Sequence, residues 1–299
     1  LLEDGNMVAV HLDKKAPSEF SDTLRNDLER HYEKILWADR VSIEWGEWSM
    51  VEAVLNVLRA IAKAPKHPDY VYLISGADYP IRPITQLRSF LERNKGREFI
   101  ESVDADRFRW VSHGIQQERY LFRHWINWRK HPRLHSFMLS VQRIMRMERP
   151  FPEPFRPHLG SQWWTLTWAT CTAALELTNN KSLVDFFKTT WVPDELFFQT
   201  VVRNLVTDQQ KIDNRHLTLY QFTGYGVPLV YYNGHDDYLS RQPFFFARKF
   251  SPHASGLRDS MDLRSVNGEV SPLPDDDKVG KLSTDYARFR TTHGRGRFG

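Results

Sequence analysis

The stretch "SMVEAVLNVLRAIAKAPKHPDYVYLISGADYP" (Ser49–Pro80) decides the architecture. Its first half sets apolar residues at helical spacing, and Ser49 with Glu52 three residues on reads as a capping box. Its second half, from Asp69, is a short apolar run that reads as a buried strand ended by Gly76 and Pro80. Gly76 is expected to allow an unusual backbone angle, and Pro80 to fix the exit. A helix followed closely by a strand asks for the same pattern on either side. Upstream, "MVAVHLD" (Met7–Asp13) and "RVSIEW" (Arg40–Trp45) read as strands, with a polar helix-compatible stretch between them at Pro17–Lys34. Downstream come a helix over Thr85–Asn94 and a strand over Glu98–Val103. This alternation predicts an α/β fold with a mixed, mainly parallel central sheet flanked by helices. In such sheets ligands sit beyond the carboxyl ends of the strands. Those ends carry His11, Asp13, Trp45, Gly46, Ser75, Gly76 and Asp78, which should share one cleft.

From Arg107 to Pro157 the chain is dense in Arg, His and Trp, with a helix expected near Ser136–Met147. Next, "LGSQWWTLTWATCTAALEL" (Leu159–Leu177) reads as a strand feeding a helix. "LTLYQF" (Leu217–Phe222) and "VPLVYY" (Val227–Tyr232) are late strands, and "PFFFARKF" (Pro243–Phe250) is an apolar segment holding two cations. The expected division is one domain over 1–262 and a flexible or partner-dependent tail over 263–299.

The chain has 299 residues, 41% hydrophobic and 26% charged, which is globular composition. Thirteen per cent aromatic, with ten Trp, exceeds core needs and suits flat ligand faces. A net charge of +4 suits an anionic ligand; with acids and bases nearly balanced it does not point to nucleic acid. Cys171 is the sole cysteine, so no intrachain disulfide forms. That favours a reducing compartment of the bacterial cytoplasmic type, with peripheral attachment to a membrane left open. No apolar run reaches membrane-spanning length. The opening "LLEDGN" reads as a cut from something longer, which leaves open a lumenal domain separated from its anchor.

"TTWVPDELFFQTVV" (Thr189–Val202) sets Asp194 and Glu195 after Pro193 and before an apolar run. Acids there can start a helix. One of them can equally be a catalytic base held ionised by the helix end.

The order of the pieces carries more than any one of them. V-H-x-D, W-G-x-x-S, S-G-A-D-Y-P-I-R, G-S-x-W, P-D-E-x-F-F-x-T and F-F-A-R-K-F, over roughly residues 7 to 262, resemble glycosyltransferase family 14. This is the family of core-2/I-branching β-1,6-N-acetylglucosaminyltransferases and protein O-xylosyltransferases. The resemblance implies a GT-A-like fold, a UDP-sugar donor, inversion at the anomeric carbon and no required metal. It implies Glu195 as the base and Arg248 with Lys249 as the neutralisers of the diphosphate. It places His11, Asp13, Trp45, Gly46 and Ser49 beside the nucleotide; Ser75, Gly76 and Asp78, read from the strand ends, are expected to line the same site. Gln162, Trp163, Trp164 and Asp194 are expected near the sugar or acceptor. Xylosyltransferases carry an aspartate where this chain has Gln162, and no upstream arginine matches that of the N-acetylglucosaminyl branch except, weakly, Arg241.

The chemistry agrees with those roles. An inverting transfer needs one carboxylate to take the acceptor hydroxyl's proton and positive charge where the leaving diphosphate develops. Arg forks onto two phosphate oxygens, whereas Lys is a point charge. Two rival readings stand beside this one. Asp104-x-Asp106 after a strand has the spacing of a divalent-metal site. Alternatively, the chain is a catalytically silent nucleotide- or glycan-binding module. The acceptor is a glycan, glycolipid or protein hydroxyl, and the Arg- and Trp-rich segment over 107–135 is a candidate for its groove. The oligomeric state is left open.

Overall fold

The computed structural model describes residues 5–110, 116–223, 227–267, 272 and 274–281. The part of the Arg- and Trp-rich segment at 111–115, and the expected tail beyond 281, lie outside the described residues. Eleven short strands are found among the described residues: β1 (Val8–Val10), β2 (Ile35–Trp37), β3 (Tyr70–Tyr72), β4 (Asp78–Pro80), β5 (Glu98–Ile100), β6 (Val103–Asp104), β7 (His158–Leu159), β8 (Trp164–Thr167), β9 (Ile212–Asp213), β10 (Thr218–Tyr220) and β11 (Phe246–Arg248). The α/β class holds, and the sheets are mixed. A four-stranded sheet has the order β3-β8-β5-β9, antiparallel at β3–β8 and β8–β5 and parallel at β5–β9. A three-stranded sheet has the order β10-β11-β4, with β10–β11 parallel and β11–β4 antiparallel. β1 and β2 form a parallel pair, and β6 and β7 an antiparallel one.

The helix Trp48–Ala62 shows why the first core forms where it does. Its inward face carries Val51, Leu55 and Leu58, all fully buried, and Ile61. Each such side chain contributes about 1.5–3 kcal/mol through burial. They pack with β8's Trp164 and Leu166 and with Leu196, Phe197, Phe198, Val201 and Val202, most of them on the helix Phe197–Leu205. A second core gathers Ile81, Leu219, Phe244, Ala247, Leu257 and Met261 around the three-stranded sheet. A third, with Phe90, Phe99, Phe245 and Phe246, includes Val279. Residues 274–281, inside the stretch assigned to the tail, are thus held against the body. Arg215 Nη1 donates to the carbonyls of Asp276 and Val279 at 2.5 Å each, and Arg93 pairs with Asp276 at 3.0 Å.

Three local expectations are corrected. The second strand is Ile35–Trp37, not Arg40–Trp45. The latter segment forms no strand; side chains, with one backbone bond from Lys14 N to Val41 O, hold it in place. His11 Nε2 accepts from Val41 N at 3.0 Å and Asp13 Oδ1 from Ile43 N at 3.3 Å. Ser49 does not cap its helix; it lies inside the first turn, and its Oγ accepts from Glu44 N at 2.8 Å. Glu52 instead pairs with Arg59 at 2.7 Å and takes the Trp48 indole N–H at 3.0 Å. Gly76 has no left-handed angle, and an added Cβ would meet nothing within 4 Å. Among the described residues no helix is long and apolar enough to cross a membrane.

Candidate functional site

Glu195 ends a single 3-10 turn, Pro193–Glu195, that precedes the helix Phe197–Leu205 and is separated from it by Leu196 at φ −132°. The two acids are therefore not in the α-helix's own first turn. Val192, just before, is left-handed at φ 52° and ψ 57°. A β-branched residue there costs about 1–3 kcal/mol, so neighbours must hold it. They do: Trp191 N donates to Arg119 O at 2.9 Å, and Val192 N to Gly46 O at 2.9 Å. Gly46 is itself left-handed, at φ +77°, and the Trp191 ring lies 3.0 Å from where its Cβ would be. The W-G-x-x-S turn and the P-D-E turn are thus one unit.

In that unit the Glu195 carboxylate is aimed by Arg119, whose Nη1 donates to Oε2 at 2.7 Å. The glutamate side chain keeps 29% exposure while the arginine has 11%. Asp194 beside it is buried. Burial first, and then the charge of Glu195, push its carboxyl up to about 7. Its Oδ1 has no hydrogen-bond partner among the described residues. Adjacent acids with unlike environments can hold unlike protonation states.

The loop Gly160–Trp163 links the backbone of this turn to Arg248. Gly160 N donates to Glu195 O at 3.1 Å. A Cβ on Gly160 would lie 1.7 Å from Glu101 O, so only glycine fits. One residue on, Ser161 N donates to Glu101 Oε2 at 3.2 Å, and Gln199 Nε2 reaches Ser161 O at 2.6 Å. Glu101 also accepts from Trp110 Nε1 at 3.1 Å and from Tyr220 OH at 3.2 Å. Tyr220 is the register partner of Arg248 on β11. Arg248 in turn lies over the Trp163 ring, 4.1 Å from its centre. Glu195 and Arg248 therefore share one short loop.

Arg248 spends its Nε on Asp78 Oδ1 at 2.8 Å, leaving its terminal nitrogens for another partner. Asp78 also accepts from Ser75 N at 2.8 Å and from Ser75 Oγ at 3.0 Å. Burial pushes its carboxyl up, and the Arg248 charge pulls the other way. Lys249 follows in a backbone ladder of its own: its N donates to Leu229 O at 3.2 Å, and its O accepts from Tyr231 N at 2.7 Å.

The remaining candidates fall into two groups. His11 and Asp13 hold the 41–43 segment as described, and burial lowers the His11 pKa. Trp45 is 41% exposed, with the Arg129 guanidinium 3.6 Å over its ring. Gln162 is half-buried in the Gly160 loop. Trp164, expected at the sugar, is corrected: its ring is 1% exposed and packs on Phe198 at 4.9 Å inside the first core. It supports the loop and has no face to offer a ligand. Asp104 and Asp106 work as turn residues. Asp104 Oδ1 accepts from the backbone of Asp106 and Arg107 at 2.9 and 3.1 Å, and Asp106 Oδ1 from Tyr120 OH at 2.9 Å. Among the described residues no three His, Cys, Asp or Glu side chains gather as metal ligands. Sequence reasoning missed Arg119, Glu101 and Tyr220. Arg119 lay among many arginines, and the other two looked like ordinary strand residues.

A carboxylate paired with Arg119 and a buttressed arginine, both in contact with one loop of an α/β frame, suit group transfer. The chain belongs to the Core-2/I-branching enzyme family, whose profile matches residues 3–236. It is 28% identical over 204 residues to a mouse (Mus musculus) beta-1,3-galactosyl-O-glycosyl-glycoprotein beta-1,6-N-acetylglucosaminyltransferase 4, covering 66% of this chain and 41% of that one. It is 24% identical over 209 residues to a xylosyltransferase of Ciona intestinalis, covering 69% and 22%. A human (Homo sapiens) N-acetyllactosaminide beta-1,6-N-acetylglucosaminyl-transferase is 23% identical over 276 residues, covering 87% and 65%. The matched region is about a fifth of the length of the xylosyltransferase and two fifths of the mouse relative.

Proposed function

We propose that this protein is an inverting glycosyltransferase that moves xylose or N-acetylglucosamine from a UDP-sugar to an acceptor hydroxyl. The observation that carries this is the loop Gly160–Trp163, bonded to Glu195 through Gly160 N and stacked under Arg248 at Trp163. The acceptor oxygen attacks the anomeric carbon as its proton passes to the Glu195 carboxylate. The bond from that carbon to the diphosphate breaks on the opposite face, and UDP leaves with the electron pair. Arg119 fixes one oxygen of Glu195, so the other meets the acceptor. Arg248 and Lys249 meet the growing phosphate charge, and in this reading no metal is needed for it. Asp78 orients Arg248 through Nε so that the guanidinium fork faces the phosphates. His11, Asp13 and the Trp45–Ser49 turn border the nucleotide. The acceptor is a glycan, glycolipid or protein hydroxyl, and the lone Cys171 suits a reducing, bacterial-type cytoplasm.

The test is UDP release on mixing the protein with UDP-xylose, UDP-N-acetylglucosamine, UDP-glucose or UDP-glucuronate and a panel of hydroxyl acceptors, with and without EDTA. One of the first two donors should turn over, EDTA should leave the rate unchanged, and Glu195→Gln should lower it about 100- to 10,000-fold with donor binding kept. Heat of binding without turnover would mark a silent binder, and a rate lost to EDTA would reinstate a metal.

A further inference from the structure

The helix Pro132–Ile144 is turned inside out. Its inward positions are His135, Leu139 and Gln142. Two of these three are polar, and they hold the helix by hydrogen bonds. His135 Nε2 meets His124 Nδ1 at 2.9 Å, and Gln142 accepts from Arg123 N and donates to Arg123 O, both at 2.9 Å. Its large apolar side chains point to solvent: Leu134 is 48% exposed, Phe137 65% and Ile144 82%. At helical spacing these lie along one stripe with Val141. Trp125, 52% exposed, shares a small crevice with Met138 and Leu139 and so extends the apolar patch. A surface stripe of this kind needs an apolar partner.

Charge says which partner. Between Arg129 and Glu148 the chain carries five Arg or Lys, all exposed, and one acid, Glu148, so the surface around the helix is strongly positive. Arg143 is bound by Glu118 at 2.7 Å and Lys130 by Glu44 at 3.0 Å. Arg133, on the edge of the stripe, and Arg146, just beyond the helix, are exposed, with no bonded partner among the described residues. A second copy of the same face would oppose like charges. An apolar stripe with a Trp at its border and free arginines beside it matches the acyl boundary and headgroups of an anionic lipid surface.

We propose that the helix Pro132–Ile144 and Trp125 dock this protein on a bilayer that carries anionic lipid. The 299-residue chain is tested by flotation with phosphatidylcholine vesicles with and without phosphatidylserine. It should float with the anionic vesicles only. Phe137→Ser/Ile144→Ser and, separately, Arg133→Glu/Arg146→Glu should each weaken binding about tenfold or more, with thermal melting unchanged because these side chains lie outside the fold. Absence of binding to anionic vesicles overturns the proposal, as does equal binding by either double variant. A self-association on gel filtration that Phe137→Ser/Ile144→Ser abolishes, without vesicle binding, would assign the face to a second copy instead.

Discussion

Arg119 Nη1 lies 2.7 Å from Glu195 Oε2, although 76 residues separate the two. The pair is partly shielded, and the arginine is the more buried member. Arg119 also anchors the turn through its backbone, since its carbonyl takes the Trp191 N–H. The side chain and main chain of one residue thus set both the direction of the carboxylate and the position of the turn that bears it.

Arg119→Ala should therefore lower kcat about 10- to 100-fold, the worth of a charge-assisted bond of about 1.5–3 kcal/mol. The backbone contact survives the substitution, so the fold should hold. Donor KM should change little. Steady-state kinetics checks this: a loss confined to donor KM would move Arg119 from positioning the acid to binding the nucleotide.

The two cations should separate in their effects. Arg248→Ala removes the only ion pair of Asp78 among the described residues, and that side chain is fully buried. A stranded buried charge costs about 3–5 kcal/mol. Arg248→Ala should thus lower both stability and UDP affinity, and adding Asp78→Asn should restore most of the stability but not the affinity. Lys249→Ala should weaken UDP alone. Calorimetric titration with UDP beside denaturant melts reads both effects.

Gly160→Ala should be severe. The new methyl would meet the Glu101 carbonyl at 1.7 Å, and backbone cannot step aside as a flexible side chain would. Overpacking of this kind costs about 1–3 kcal/mol or more. Because the Gly160 N–H bonds the Glu195 carbonyl, turnover should fall further than stability explains. A melting curve compared with the rate at low temperature, where the variant is folded, separates the two.

Asp194 sets a pH dependence. Burial and the neighbouring Glu195 raise its folded value to about 7, while an unfolded aspartate titrates near about 4. Between those values the folded chain keeps a proton that the unfolded chain has lost. Stability should fall as pH rises through that window and level off above it. Asp194→Asn should flatten the slope and be the more stable protein above about pH 7. Melting temperatures across the window test this; an unchanged slope would mean another group carries it.

How far these features were legible in the residues follows from where their bonds are. The helix Trp48–Ala62 was legible because its burial repeats within one segment. Strand β2 was missed because three residues after a polar turn show no pattern, while Arg40–Trp45 alternates like a strand yet is held by His11 and Asp13. Ser49 and Glu52 spell a cap, but Glu44 N and Trp48 Nε1 compete for them more effectively. The ordered motifs pointed to Glu195 and Arg248. What ties those two together is Glu101 bonding Ser161 and Tyr220, contacts 60 and 119 residues apart in the chain, and no local pattern encodes them.

The 40–45 segment has one more property. Strands in a ladder must slip in register or part together, whereas this stretch is fastened at separate points by an imidazole and a carboxylate, with the Lys14–Val41 backbone bond between them. Arg40 Nη2 adds bonds to the carbonyls of Asp13 and Ala16 at 2.8 and 2.9 Å, and Lys15 Nζ one to Ile43 O at 2.5 Å, so the segment is sewn down stitch by stitch and the loss of one stitch leaves the rest of the seam closed.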